Sequence, residues 1–137
     1  MKTAVDTCIL LDILTADKVH MTKSLESLLA ARDSGAVVLC EVVFSELSAA
    51  ARGDLGLLGA FLSDAGIQLE RSSDAVLAEA GTRWRAYRDA GGPRTRILPD
   101  FLIAAHALHC GCRLLTRDRG FFSTWFKKLH IIDPSRI

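Results

Sequence analysis

Short apolar runs alternate along the chain with stretches whose apolar residues recur at helical spacing, and this alternation predicts a repeating strand-then-helix order. Residues 2–5, KTAV, read as a first strand, and the segment over 7–14 turns helical. In VHMTKSLESLLAARDSG the apolar residues Met21, Leu25, Leu28 and Leu29 keep a helical spacing that Gly35 closes. Residues 36–40, AVVLC, are apolar without a break and partly β-branched, the pattern of a strand buried on both faces. EVVFSELSAAARG and DLGLLGAFLSDAG predict two helices separated near Gly53, and a strand follows over 67–69. Ser73 or Asp74 can cap the next helix, which runs to Gly91 and Gly92. GGPRTRILPD holds two of the three prolines and reads as a loop, with Pro99 suited to the first turn of the helix DFLIAAHALHCG. A strand at RLLT, a loop and short helix over 117–129, and a last strand at HIID complete the chain. The expected fold is one α/β domain over 1–137 with a central, mostly parallel sheet of about five strands covered on both faces.

Length and composition agree with a domain that folds without staples. A chain of 137 residues buries roughly two thirds of its unfolded surface. Half the residues are apolar, yet no run approaches the roughly 18 residues of a membrane span. The opening MKTAVDTCILLDIL has the outline of a signal peptide, but Asp6 and Asp12 interrupt it and no small-residue cleavage pattern follows. A cytoplasmic, soluble protein with no membrane association is expected. Cys8, Cys40, Cys110 and Cys112 lie in or beside apolar segments and read as buried, reduced thiols; the C-x-C of Cys110 and Cys112 lacks the spacing of a zinc site.

The net charge of +1 excludes bulk electrostatic capture of nucleic acid, but the charge is unevenly placed. From Arg83 to Arg119 eight arginines face only Asp89, Asp100 and Asp118, a local +5 against −4 for the remainder. Such a stretch suits a polyanionic substrate, with a solvated helix face as the alternative for Arg83, Arg85 and Arg88.

Four carboxylates sit where apolar segments begin or end: Asp6 after KTAV, Glu46 inside VVFSEL, Asp100 opening DFLIAAHAL, and Asp118 just past LLT. Asp6 and Asp118 are expected at the carboxyl ends of two strands, the edge of an open α/β sheet that faces the ligand crevice. Clustered there, carboxylates repel one another unless a divalent cation joins them, which points to Mg²⁺ or Mn²⁺ and phosphoryl chemistry. Asp100 falls in a first helical turn, where plain pairing with the helix terminus is the alternative. Glu46 looks half-buried among Val42, Val43 and Leu47, with an exposed position on an amphipathic face as its alternative. Thr7 and Thr116 adjoin or lie close to the acids and can orient them, or else cap a helix or a turn. Asp12, on the same helix as Thr7, reads as a surface residue. His106 is rotated away from the Asp100 face of its helix, and His109 and His130 have no nucleophile beside them, which argues against Ser/His/Asp or Cys/His catalysis.

The blocks VDTCILLD, VVFSEL, RTRILPDFLIAAHAL and LLTRDRGFFSTWFKKLHIIDP resemble, in order, the PIN-domain ribonucleases, and among them the VapC-type toxins of bacterial toxin–antitoxin pairs. The last two blocks are the specific ones, and 54–90 carries little of the resemblance. It implies a three-layer α/β/α sandwich and metal-dependent endoribonuclease activity, with Asp6, Glu46, Asp100 and Asp118 as the acidic metal site and Thr116 beside it. A homodimer is implied too, with inhibition by a small VapB-type antitoxin. Arg94, Arg96, Arg117 and Arg119 are the candidates for RNA phosphate contacts, although Arg117 and Arg119 can instead pair with the acids.

Three other readings differ in class. A haloacid-dehalogenase phosphatase also uses a strand-terminal Asp, but Cys8 stands where that chemistry needs a second Asp. A phospho-receiver signalling domain needs a lysine after a late strand and other acid spacings. A catalytically silent PIN-like module that binds RNA or protein is expected to have lost one or more of the acids, and all four are present.

Overall fold

A computed structural model describes residues 1–93 and 97–136. Three-residue strands β1 (Thr3–Val5), β2 (Val37–Leu39), β3 (Ile67–Leu69) and β4 (Arg113–Leu115), with the shorter β5 (Ile131–Ile132), form a sheet of order β3-β2-β1-β4-β5, parallel at every pairing. Around it lie α1 (Thr7–Leu14), α2 (Met21–Ser34), α3 (Glu41–Ala50), α4 (Leu55–Ala65), α5 (Asp74–Asp89), α6 (Leu98–His109) and α7 (Arg119–Trp125). The chain steps outward from β1 to β2 to β3, then returns to add β4 and β5 on the other side. The order therefore reverses between β1 and β4, and the carboxyl ends of these two strands open on the crevice where α/β sheets bind ligands.

Local sequence explains most of the elements. Residues of β1, β2 and β4 bury nearly every side chain, as central parallel strands do. Asp54 caps α4 by accepting from the Leu57 N–H at 3.0 Å, and Gly66 ends it with φ of 70°, a left-handed conformation that glycine adopts without a Cβ penalty. Of the two expected caps of α5, Ser73 is the one that accepts, from the Val76 N–H at 3.3 Å. α5 packs on α6, and Tyr87 fills the seam, its ring 5.3 Å from Phe101 and 4.7 Å edge-on from Trp125.

The structure differs from the sequence reading at α2. Its buried residues are Ser24, Ser27, Leu28 and Ala31, whereas Leu29 is exposed and Leu25 only half-buried. A polar residue occupies the inner face because the Ser24 hydroxyl donates to Asp12 Oδ2 at 2.6 Å. Asp12 itself is a correction, since only 4 % of its surface is exposed. The helix TCILLDIL is apolar nearly all round and so is covered on more than one side, which carries its single acid inward. Arg117 meets Asp12 there with two parallel bonds, Nε to Oδ2 at 3.0 Å and Nη2 to Oδ1 at 2.9 Å.

All four cysteines are free; Cys40 and Cys112 are buried, and Cys8 and Cys110 half-buried. No helix among the described residues is long and apolar enough to cross a membrane.

Candidate active site

Asp6 is the first residue past β1, where its N–H still continues the ladder to the Leu115 carbonyl of β4 at 3.0 Å. It is also the N-cap of α1: Oδ1 accepts from the Thr7 N–H at 2.8 Å. Its second oxygen, Oδ2, accepts from the Thr116 hydroxyl at 2.7 Å, and the same Thr116 oxygen accepts from the Asp118 N–H at 3.0 Å. Thr116 is fully buried, so one hydroxyl fixes Asp6 and the backbone of Asp118 together at the switch point between β1 and β4. On the other side the Thr7 hydroxyl donates to Glu46 Oε1 at 2.6 Å, which brings α3 to the same edge. Asp100 stands in the first turn of α6 and its Oδ2 accepts from the Ile97 N–H at 3.3 Å.

Asp6 lies within electrostatic reach of Asp100 and Glu46. Burial holds the Asp6 carboxyl above the ordinary aspartate range; the hydrogen bonds from Thr116 and Thr7 pull it down, and the charges of Asp100 and Glu46 push it up again. A buried carboxylate held within reach of two further acids is a site suited to a cation. Glu46 is exposed and not half-buried: α3 buries Val43 and Leu47, and Glu46 lies about 100° round the helix from Leu47, at the rim of the crevice.

Cys8 was absent from the expected site and lies within it. Its Sγ is 3.7 Å from Asp6 Oδ2 and 3.9 Å from the Thr116 hydroxyl, and with Arg117 and Asp118 it borders a surface depression. Burial, then the Asp6 charge, pushes the Cys8 thiol up to about 11, so it remains a protonated donor and not a nucleophile. Asp12 was also missed, and the apolar surroundings of a lone acid in α1 were its signal. Arg117 pairs with this acid, not with one of the four. Arg119 is exposed at the start of α7, while Arg94 and Arg96 lie outside the described residues. His106 is buried away from the four acids, within reach of the charges of Glu70 and Glu41, and His109 pairs with Glu79.

Similar folds occur among solved toxin–antitoxin structures. A chain of VapBC2 from Rickettsia felis, bound to a DNA fragment from its promoter, superposes with a TM-score of 0.77 at 19 % identity over 97 % of this chain and 98 % of that one. A chain of VapBC-1 from nontypeable Haemophilus influenzae gives 0.73 at 19 % identity, covering 98 % and 99 %. A chain of FitAcB from Neisseria gonorrhoeae gives 0.69 at 20 % identity over the whole of both chains. At these identities the likeness is one of fold, and comparison with curated proteins finds no match. The family model of the PIN domain matches residues 3–126, from the first residue of β1 to just past α7, and the chain belongs to the PIN domain family.

Proposed function

We propose that this chain is a divalent-metal-dependent endoribonuclease that hydrolyses RNA phosphodiesters, and that it is the toxin of a VapBC-type toxin–antitoxin pair. The carrying observation is the convergence of the Asp6, Glu46 and Asp100 carboxylates at the carboxyl edge of the sheet, with Asp118 tied to Asp6 through Thr116. Hard oxygen donors under mutual repulsion fit Mg²⁺ or Mn²⁺. Asp6, Asp100 and Asp118 would hold one or two such ions, with Glu46 completing the set. When bound, the cation supplies charge neutralisation at the phosphate and a water acidified for attack, leaving a 5′-phosphate and a 3′-hydroxyl.

The protein's own groups set position. Thr116 fixes the Asp6 carboxylate against rotation, and Thr7 does the same for Glu46. Arg119 is exposed next to Asp118, and Arg117, held by Asp12 through Nε and Nη2, retains Nη1 for an RNA phosphate. Arg94 and Arg96 are assigned the same task from the segment before α6. A homodimer and a VapB-type antitoxin complete the reading; the solved neighbours include toxin–antitoxin complexes, one from Klebsiella pneumoniae.

Incubation with total RNA is expected to yield cut ends in Mg²⁺ or Mn²⁺ and none in EDTA. Mn²⁺ is also expected to raise the melting temperature, because a ligand of the native state alone shifts unfolding by mass action. Full cleavage in EDTA, together with melting indifferent to Mn²⁺, would refute the metal-dependent reading. Replacing Arg94 and Arg96 together by Ala is expected to weaken RNA binding at low salt and flatten its salt dependence, while cleavage at saturating RNA recovers. An unchanged slope in a binding titration would move the phosphate contacts to Arg117 and Arg119.

A further inference from the structure

A second group of metal-binding side chains lies on the same helix as Asp100 but well beyond it. His106 and Cys110 are one turn apart at the end of α6, where the Cys110 N–H closes the last turn on the His106 carbonyl at 3.0 Å. By helical rise these two residues lie about 9 and 15 Å along the axis from Asp100. Glu70 joins them from the end of β3, its N–H held by the Leu39 carbonyl at 2.8 Å. One ligand atom from each of Glu70, His106 and Cys110 lies within 4.8 Å of the others.

Two of these atoms are buried and lack a partner. Glu70 Oε2 and His106 Nε2 make no hydrogen bond, and only 1 % of the surface of His106 is exposed. Buried polar atoms are rarely left so, because each forfeits its hydration. The Glu70 carboxylate is divided in use: Oε1 takes the Lys2 ammonium at 2.5 Å, and Oε2 turns inward. The imidazole Nε2 is open in the same way, a buried ring nitrogen with no protein partner, as a metal-binding histidine requires.

We propose that Glu70 Oε2, His106 Nε2 and Cys110 Sγ form a site for a zinc-class transition-metal ion, separate from the acidic cluster. The donor set is one oxygen, one nitrogen and one sulfur, which favours Zn²⁺ or Co²⁺ over the hard cations suited to Asp6 and its neighbours. With metal–ligand bonds of about 2.0–2.3 Å, tetrahedral donors stand roughly 3.5 Å apart, so the three side chains must close by about 1 Å. Water takes the fourth position. The cysteine binds as its thiolate, so metal binding releases the Cys110 proton to solvent. Other charged groups face the site as well. Lys2 opposes a cation, Glu41 favours one while its carboxylate holds the Ser72 N–H and hydroxyl, and the Cys112 thiol points instead to the Cys110 carbonyl at 3.7 Å. The bound ion would fasten the end of β3 to the end of α6.

Co²⁺ is the probe, titrated into the intact protein with a non-thiol reductant. The expected result is one equivalent bound with a thiolate-to-cobalt charge-transfer band in the near ultraviolet, displaced by Zn²⁺ and accompanied by proton release. Cys110→Ser, at a half-buried position, should abolish the band, and Glu70→Gln should weaken Co²⁺ binding at least tenfold. Asp6→Asn and Cys8→Ser should keep the band. No band at millimolar Co²⁺ in folded wild type, or a band that survives in Cys110→Ser and vanishes in Cys8→Ser or Cys112→Ser, would overturn the assignment. The readout is a thiolate band, so this result is independent of whether the protein cuts RNA.

Discussion

Asp6→Asn is expected to lower RNA cleavage in Mg²⁺ by orders of magnitude while leaving the metal-free protein as stable as wild type or more so. Both effects come from one charge. The Asp6 carboxylate is proposed to hold the cation, yet without a cation it sits buried within reach of the charges of Asp100 and Glu46. Asparagine removes that repulsion and keeps the local bonds: its carbonyl can accept from the Thr7 N–H, and Thr116 can turn its hydroxyl to accept from the new amide. The pH dependence has a definite sign. Asp6 has a raised pKa in the fold, so its protonated form favours folding; that contribution is fully present below the ordinary value of 3.8 and is lost as pH rises through the folded value. The advantage of Asn over metal-free wild type is therefore expected at neutral pH and should vanish in acid. Adding Mn²⁺ should reverse the order, since only wild type has the full set of ligands. Calorimetric melting with EDTA and with Mn²⁺, beside a cleavage assay, checks all three. Near wild-type cleavage by the variant would remove Asp6 from the site.

The second large effect is expected at Arg117. Replacing it by Ala leaves the Asp12 carboxylate, only 5 % exposed at its side chain, with the Ser24 hydroxyl as its remaining side-chain donor among the described residues. Breaking a buried pair from the exposed side costs about 3–5 kcal/mol, roughly 10–15 °C in melting temperature for a chain of this size. Asp12→Asn is expected to cost distinctly less, because Arg117 is 30 % exposed at its side chain and can turn to water. The asymmetry is the test. Equal losses in urea titrations of the two variants, or a loss below about 1 kcal/mol for Arg117→Ala, would mean that the pair behaves as an ordinary surface contact.

The elements were readable because each rests on local signals. β-Branched runs, the Gly35 and Gly66 stops, the Ser73 cap and Pro99 in a first turn mark most boundaries to within a residue or two. α2 shows where that reading fails. The stripe of Leu25 and Leu29 follows the strongest apolar period, yet Ser24 and Ala31 face inward, since Ser24 has a partner in α1.

The candidate site divides in the same way. Sequence alone named the four candidate acids, and it determined the alternation of strand and helix and the placement of Asp6 at the end of a strand. It could not determine which polar groups meet. The bonds from Thr116 to Asp6 and from Arg117 to Asp12 join residues 110 and 105 positions apart, and they exist because β4 lies beside β1 in the sheet. Glu70 likewise meets His106 from a distant element of the chain. Periodicity records how much apolar surface an element must hide, which is a property of neighbours in sequence. The partner of a buried charge or hydroxyl is set by strand order, and strand order is decided only when the whole chain has packed its core.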